Sequence, residues 1–379
     1  MQPIINVHSH LINFDFFPDN YFRIRSPLKE WMLEHPATHW IIRFITFVIP
    51  GQAYDKMHEM QAILRKNIDD VAGILIAEMD TAGIVMSTPL MMDLEIPASQ
   101  KAEIPYPYQV IMVSEIAARY PGRIMPFIMY DPRKSGAYKL IKRAVEEMGY
   151  LGVKLYPALG YHPDPRSYYN NVETNEELEK IYDYCEQEQI PITAHCSPGG
   201  SYSGEFLHNK DLILQMTRPD NWETVLSKHP KIRLNLSHFG NCLTEVYDPG
   251  SWASAIARLV AEYENAYTDI AYQSKALKKK TQEQYFSALN RLAEDKDIGR
   301  KIIFGTDWPS TRHTWTEGDY VRPFAKYLSA EKLRRIGFDN PINFLFPDRK
   351  LPRRIVDFYA SKNVAPDKYP SWTKDNLNI

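Results

Sequence analysis

PIINVHSHLINFDF, residues 3–16, is the stretch that decides the fold class. An apolar, β-prone run, PIINVH, ends in a polar triplet and passes directly into an aromatic segment. An open α/β sheet that binds a dinucleotide carries a Gly-rich turn after its first strand. HSHLINFDF stands in that place here, so the nucleotide-binding reading fails at its first test.

The same pattern recurs along the chain. After PIINVH (3–8) come GIVMSTPLM (83–91), RIMPFIMYD (123–131), LGVKLYP (151–157), IPITAHC (190–196), IRLNLSHFG (232–240), AYTDIAY (266–272) and KIIFGTDWP (301–309). These eight runs are nearly continuous apolar segments, as expected of parallel strands buried on both faces. Helix-like stretches separate them. SGAYKLIKRAVEEMG (135–149) places Tyr138, Ile141 and Val145 at helical spacing and stops at a glycine. In TNEELEKIYDYCEQEQ (174–189), Thr174 followed by Glu177 reads as a capping box. QEQYFSALNRLAEDK (282–296) is amphipathic as well. Eight βα units joined by right-handed crossovers favour closure, so the fold expected is a distorted α/β (β/α)₈ TIM barrel.

The chain reads as one barrel domain over 1–379 with three departures. An aromatic-rich insertion, about 14–68, is expected to be helical and to cap the barrel mouth or form a homodimer contact. Residues 197–222 form a long loop. The tail, about 347–379, is expected to pack over the outside. A net charge of -2 leaves no basic footprint for nucleic acid. No apolar run is long enough to span a bilayer, and MQPIINVHSH does not have the form of a signal peptide. The three cysteines, Cys185, Cys196 and Cys242, form no C-x-x-C pair and read as buried reduced thiols of a cytoplasmic protein.

Chemistry is concentrated at the strand ends. His8 and His10, two apart on one strand, point to the same face and can reach one metal together. His195, His238 and Asp307 each stand where an apolar run gives way to Gly, Pro or Ser. Each alone has a plain explanation, a core histidine or a helix-capping aspartate. Five such residues at the same end of four strands converge on one axial pocket once the barrel closes.

NVHSH, GVKLYP, ITAHC, NLSHFG and FGTDWP, in that order, resemble the amidohydrolase superfamily, in particular its family 2 branch of aminocarboxymuconate-semialdehyde decarboxylase-like and lactonase-like enzymes. The resemblance spans nearly the whole chain. It implies metal ligands at His8, His10, His195 and Asp307, with His238 beside the metal as a catalytic group. Three imidazoles and a carboxylate suit one zinc, and manganese, iron or cobalt fit the same donors. A bound metal lowers the pKa of its water from about 15.7 to roughly 7. Asp307 is then expected to move the proton, and His238 to stabilise the developing oxyanion.

Lys154, inside GVKLYP, is costly to bury without a partner. In binuclear members of the superfamily a lysine on this strand is carboxylated and bridges two metals. The mononuclear reading is preferred, with Lys154 contacting a substrate carboxylate or an acidic neighbour. Tyr156, Tyr161 and His162 after strand four, and Trp308, Arg312 and His313 after strand eight, are candidates for substrate contact, as is Arg43 from the insertion.

The activity expected first is hydrolysis of an amide, ester or lactone of a small molecule by metal-activated water. Non-oxidative decarboxylation of an aromatic or enol carboxylic acid comes second, and demands a cation such as Lys154 or Arg43 near the metal. A metal-binding barrel without turnover comes third, since structural sites need no spare acid–base groups.

Overall fold

The structure, a computed structural model, describes residues 2–19, 59–198 and 209–378. Most of the insertion, with Arg43, and part of the loop after strand five lie outside the described residues.

All eight expected strands form: β1 (Ile4–Ser9), β2 (Ile84–Pro89), β3 (Phe127–Tyr130), β4 (Gly152–Leu155), β5 (Ile192–Ala194), β6 (Leu234–Leu236), β7 (Ala266–Asp269) and β8 (Ile302–Ile303). Every neighbouring pair is parallel, β1 with β2 and then β3 through β8 in sequence order. Looser backbone contacts join these two groups. Between β2 and β3, Ser87 N donates to Arg123 O at 2.8 Å and Met91 N to Phe127 O at 3.0 Å. Between β8 and β1, Val7 N donates to Phe304 O at 2.9 Å and Asp307 N to His8 O at 2.7 Å. The result is a distorted (β/α)₈ barrel.

A helix follows each strand: α1 (Ile68–Ala82), α2 (Tyr106–Arg119), α3 (Ala137–Glu147), α4 (Val172–Gln187), α5 (Lys210–Thr217), α6 (Trp252–Glu262), α7 (Gln282–Glu294) and α8 (Glu317–Tyr327). The expected start of α4 is corrected. The helix begins two residues before Thr174, and Asn171 caps it by accepting from Thr174 N at 2.8 Å. Glu177 makes no capping box; its carboxylate accepts the Tyr130 hydroxyl at 2.8 Å.

The tail covers one end of the barrel. Phe344, Phe346, Leu351, Ile355 and Phe358 join one buried cluster with Ile5, Phe127, Leu151 and Ile303. The Tyr359 hydroxyl accepts from Gly122 N, and Arg354 donates to Tyr150 O and Leu151 O. Those partners precede β3 and β4, so the tail docks against the N-terminal ends of these strands and opposite the strand ends that carry the histidines. Cys185 and Cys196 are buried as expected, whereas Cys242 is half-buried and its Sγ accepts from Lys275 Nζ at 2.7 Å.

Gly305 is a position where closure admits no side chain. A Cβ there would lie 2.7 Å from His8 Cβ and 3.2 Å from Ala271 Cβ. Overpacking of this kind typically costs about 1–3 kcal/mol. Gly305→Ala is therefore expected to lower the urea midpoint of unfolding; an unchanged midpoint would show that β8 and β1 are not so closely packed.

Candidate metal centre

His8 and His10 leave the end of β1, and Asp307 arrives beside them because its own amide donates to His8 O. Donor atoms of the three side chains lie within 4.8 Å of one another. Asp307 Oδ1 is 3.0 Å from His10 Nε2 and 3.6 Å from His8 Nε2. Asp307 and His238 both sit at φ 68°, in the left-handed region that non-glycine residues seldom occupy. Such strain persists only where the surroundings hold it, and it clusters at functional sites.

The hydrogen bonds assign the imidazole tautomers. His8 Nδ1 faces Asp269 Oδ2 at 2.9 Å, and His10 Nδ1 faces Leu90 O at 2.7 Å. Neither partner can donate, so both Nδ1 atoms carry the proton. Both Nε2 lone pairs then point at the Asp307 carboxylate. His238 Nδ1 lies 3.4 Å from Ala271 O, again an acceptor. Its Nε2 accepts from His195 Nδ1 at 3.2 Å, leaving a lone pair on His195 Nε2, 3.2 Å from Ser197 Oγ. Two imidazole lone pairs and a carboxylate aimed at one another repel unless a cation lies between them. A divalent metal meets that need, and its ordinary ligands are these groups.

Burial pushes His8 below its ordinary pKa, only partly offset by Asp269. Burial, reinforced by His8, lowers His238 to about 4, so both rings are neutral near pH 7. Burial alone would raise the carboxyls of Asp269 and Asp307. At acid pH, where carboxyls titrate, the charge of protonated neighbouring imidazoles outweighs it and holds both far below the usual carboxylate range.

The structure thus brings His8, His10 and Asp307 into one cluster and places His195 beyond it, linked through His238. The His195 and His238 rings lie 4.9 Å apart, and those of His8 and His238 4.6 Å. Tyr156 stacks on His195 with ring centres 4.2 Å apart. Lys154 is fully buried, and its Nζ has no hydrogen-bond partner among the described residues, although the charges of Asp269 and Asp307 act on it. Its ammonium lies 5.5 Å from the Tyr156 ring centre. These groups line a cavity of 460 Å³ whose wall also includes Ile12, Phe17, Met92, Leu94 and His313. That volume suits a small molecule.

Other candidates do not reach the cavity. His162 Nδ1 accepts from Asp164 N at 3.1 Å within its own loop. The Tyr161 hydroxyl accepts from Tyr156 N at 2.8 Å, and Trp308 is fully buried and does not line the cavity. Arg312 turns to Glu78 and Glu59, each at 2.7 Å. Arg43 lies outside the described residues.

Asp269 escapes the sequence reading although it ends strand β7. It accepts from His8 Nδ1, Asn235 Nδ2, His238 N and Ala271 N. It therefore sets the tautomer of His8, as carboxylates behind metal-bound histidines do. The available signal was a polar residue inside an apolar run, shared by Asn235 in β6.

Fold and site define a barrel whose strand ends gather histidines and aspartates at one mouth. The sequence family described as amidohydrolase matches residues 99–346, and the chain belongs to that family. The match begins after β2, so His8 and His10 lie outside it. No curated protein matches the chain. Among solved structures, a 2,6-dihydroxybenzoate decarboxylase from Rhizobium superposes with a TM-score of 0.56 at 17% identity, covering 92% of this chain and 100% of its own. The 5-carboxyvanillate decarboxylase of Novosphingobium aromaticivorans, complexed with manganese and 4-hydroxy-3-methoxy-5-nitrobenzoic acid, gives 0.57 at 13% identity, covering 90% and 96%. A probable 2-pyrone-4,6-dicarboxylic acid hydrolase from Acinetobacter baumannii gives 0.53 at 13% identity, covering 91% and 99%. At these identities the likeness establishes the fold. Among the described residues no helix is long and apolar enough to cross a membrane.

Asp269→Asn keeps the side-chain shape and removes the anion that orients His8. Loss of a partner of this kind typically weakens metal binding about 10- to 100-fold. Titration of the metal-free variant with zinc or manganese is expected to show that loss; wild-type affinity would remove Asp269 from the site.

Proposed function

We propose that this chain is a metal-dependent enzyme that removes carboxylate, without oxidation, from a small aromatic or enolic acid. The observation that carries the reading is Lys154, a buried amine without a hydrogen-bond partner among the described residues, at a cavity with an apolar wall. Burying an unpaired cation is costly, so its position is best explained by an anion that arrives with the substrate. Every substrate of a decarboxylase carries a carboxylate, whereas a simple ester or amide does not. Two of the three similar structures named above are decarboxylases. This order reverses the one suggested by the motifs alone.

His8, His10 and Asp307 would hold one divalent metal, with His195 as the remaining candidate ligand. When bound, the metal supplies a Lewis acid that draws electron density from a substrate oxygen. The chain's residues then divide the work. Lys154 binds and orients the anionic substrate, and the wall of Ile12, Phe17, Met92 and Leu94 excludes water from its ring. The carbon–carbon bond breaks with its electron pair left on the ring carbon. Asp307, ionised at rest, takes a proton from the substrate's phenolic or enolic hydroxyl and delivers it to that carbon as carbon dioxide departs. His238, neutral and donating to Ala271 O, holds the His195 ring in place.

Hydrolysis is the second reading. The pyrone dicarboxylic acid named for the Acinetobacter structure is itself an anion, so the same lysine would serve a carboxylated lactone.

The deciding experiment gives zinc- or manganese-loaded protein hydroxybenzoates and carboxylated lactones in parallel. Carbon dioxide release from the acids is expected; ring-opened product without it would establish the hydrolase. Elemental analysis is expected to find about one metal per chain, and two would favour a carboxylated Lys154 bridging a binuclear site.

Lys154→Met should weaken binding of an aromatic carboxylate inhibitor roughly 10- to 100-fold, the worth of a charge-assisted hydrogen bond, with metal content unchanged. Burial lowers the Lys154 amine to about 8, despite Asp269 and Asp307. Below that pH the amine is charged and holds the anion; above it the charge is lost. Inhibitor affinity is therefore expected to fall above about pH 8 in the wild type and not in the variant. A parallel fall in both would assign the titration to another group.

A further inference from the structure

Glu317 opens α8, outside the metal cluster, yet its side chain is almost wholly buried. Oε1 accepts from Thr306 Oγ1 at 2.9 Å and from Asn6 Nδ2 at 3.1 Å. Asn6 Nδ2 also donates to Thr306 Oγ1 at 2.7 Å. Asn6 Oδ1 accepts from His8 N at 3.1 Å and Thr306 N at 3.2 Å, and Thr306 Oγ1 accepts from Trp308 N at 3.3 Å. Three side chains thus grip the backbone of His8 and the backbone on both sides of Asp307.

That grip falls where it is needed. Asp307 holds a left-handed conformation that its own chain would not choose. The segment is also where β8 meets β1 through a few backbone bonds instead of a long ladder. The far side of the clamp is anchored: Glu317 N donates to Glu78 Oε2 on α1 at 3.0 Å, and Arg312 Nε to Glu78 Oε1 at 2.7 Å. Glu317 is an expensive group to keep there, since its Oε2 has no partner among the described residues. Burial raises its carboxyl to about 8, with Glu78 adding to the rise, so it sits largely as the neutral acid near pH 7. It does not line the cavity, so substrate contact does not account for it.

We infer that Glu317 is a positioning residue for the metal centre, holding His8 and Asp307 in register through Asn6 and Thr306. The inference rests on the metal-dependent reading above. If it holds, the acceptor oxygen matters and the charge does not. Glu317→Gln presents a carbonyl oxygen to the same two donors, whereas Glu317→Ala removes it.

The test is the Kd of metal-free protein for zinc or manganese, measured by competition with a chromophoric chelator. Thermal melting and circular dichroism establish that each variant is folded at the assay temperature. Glu317→Ala is expected to weaken the metal about 10- to 100-fold, the range found for outer partners of metal ligands. Glu317→Gln is expected to stay near the wild-type Kd. Should Glu317→Ala fail to fold, Thr306→Val removes the intervening hydroxyl with little change of shape, and a weakened Kd is again expected. A lower melting temperature with unchanged Kd in these folded variants would reduce Glu317 to a structural residue and overturn the inference alone. Wild-type protein that takes up no metal would overturn the metal-dependent reading, and this inference with it.

Discussion

The backbone contact between Asp307 N and His8 O is the constraint on which the site depends. It joins the last strand to the first across almost the whole chain. Without it, a carboxylate and two imidazoles from opposite ends of the sequence would not face each other. The contact is made where β8 has only two ladder residues, so strand pairing contributes little to holding it. Support comes from outside the ladder, from the Asn6–Thr306–Glu317 clamp and from a glycine, Gly305, that lets the His8 backbone come close. The local distortion of the barrel and the placement of the metal cluster are one feature.

Electrostatics then shapes what the pocket accepts. Asp269 and Asp307 are buried beside imidazoles and, among the described residues, the amine of Lys154. Low local dielectric makes each of these interactions stronger than in water and each missing partner more costly. The lone pairs of His8 and His10 and the Asp307 carboxylate call for a cation; Lys154 calls for an anion. One site asks for both within the same cavity. In the proposed reading, a divalent metal and a small aromatic carboxylate satisfy the two demands together. The metal donors by themselves serve hydrolysis and decarboxylation equally well, so in the proposed reading the wall and the amine carry the selectivity between them.

Particular elements show how far a sequence reading reaches. The eight strands were legible because runs buried on both faces leave an unbroken apolar signature. His8, His10 and Asp307 were legible because a polar residue at the end of such a run stands out. The α4 cap was misplaced because Thr174 and Glu177 have the right spacing, whereas Asn171 occupies the right backbone position. Arg312 looked like a rim residue because it follows β8, but Glu78 and Glu59 on and before α1 take its charge. The tail read as an outer layer from its prolines and charges, and in three dimensions its apolar residues cover the end of the barrel.

What the sequence by itself determined is therefore the order of the strands, the family and the kinds of donor gathered at one end, since all three follow from patterns within a few residues. Only the tertiary structure decided which donor atoms meet. It set Asp269 behind His8, turned His195 toward His238, left Lys154 without a hydrogen-bond partner among the described residues, and took His162 and Arg312 out of the cavity. Those outcomes depend on how strands far apart in sequence come into register when the barrel closes. The direction of a side chain's hydrogen bond is then set by a neighbour that local sequence does not contain.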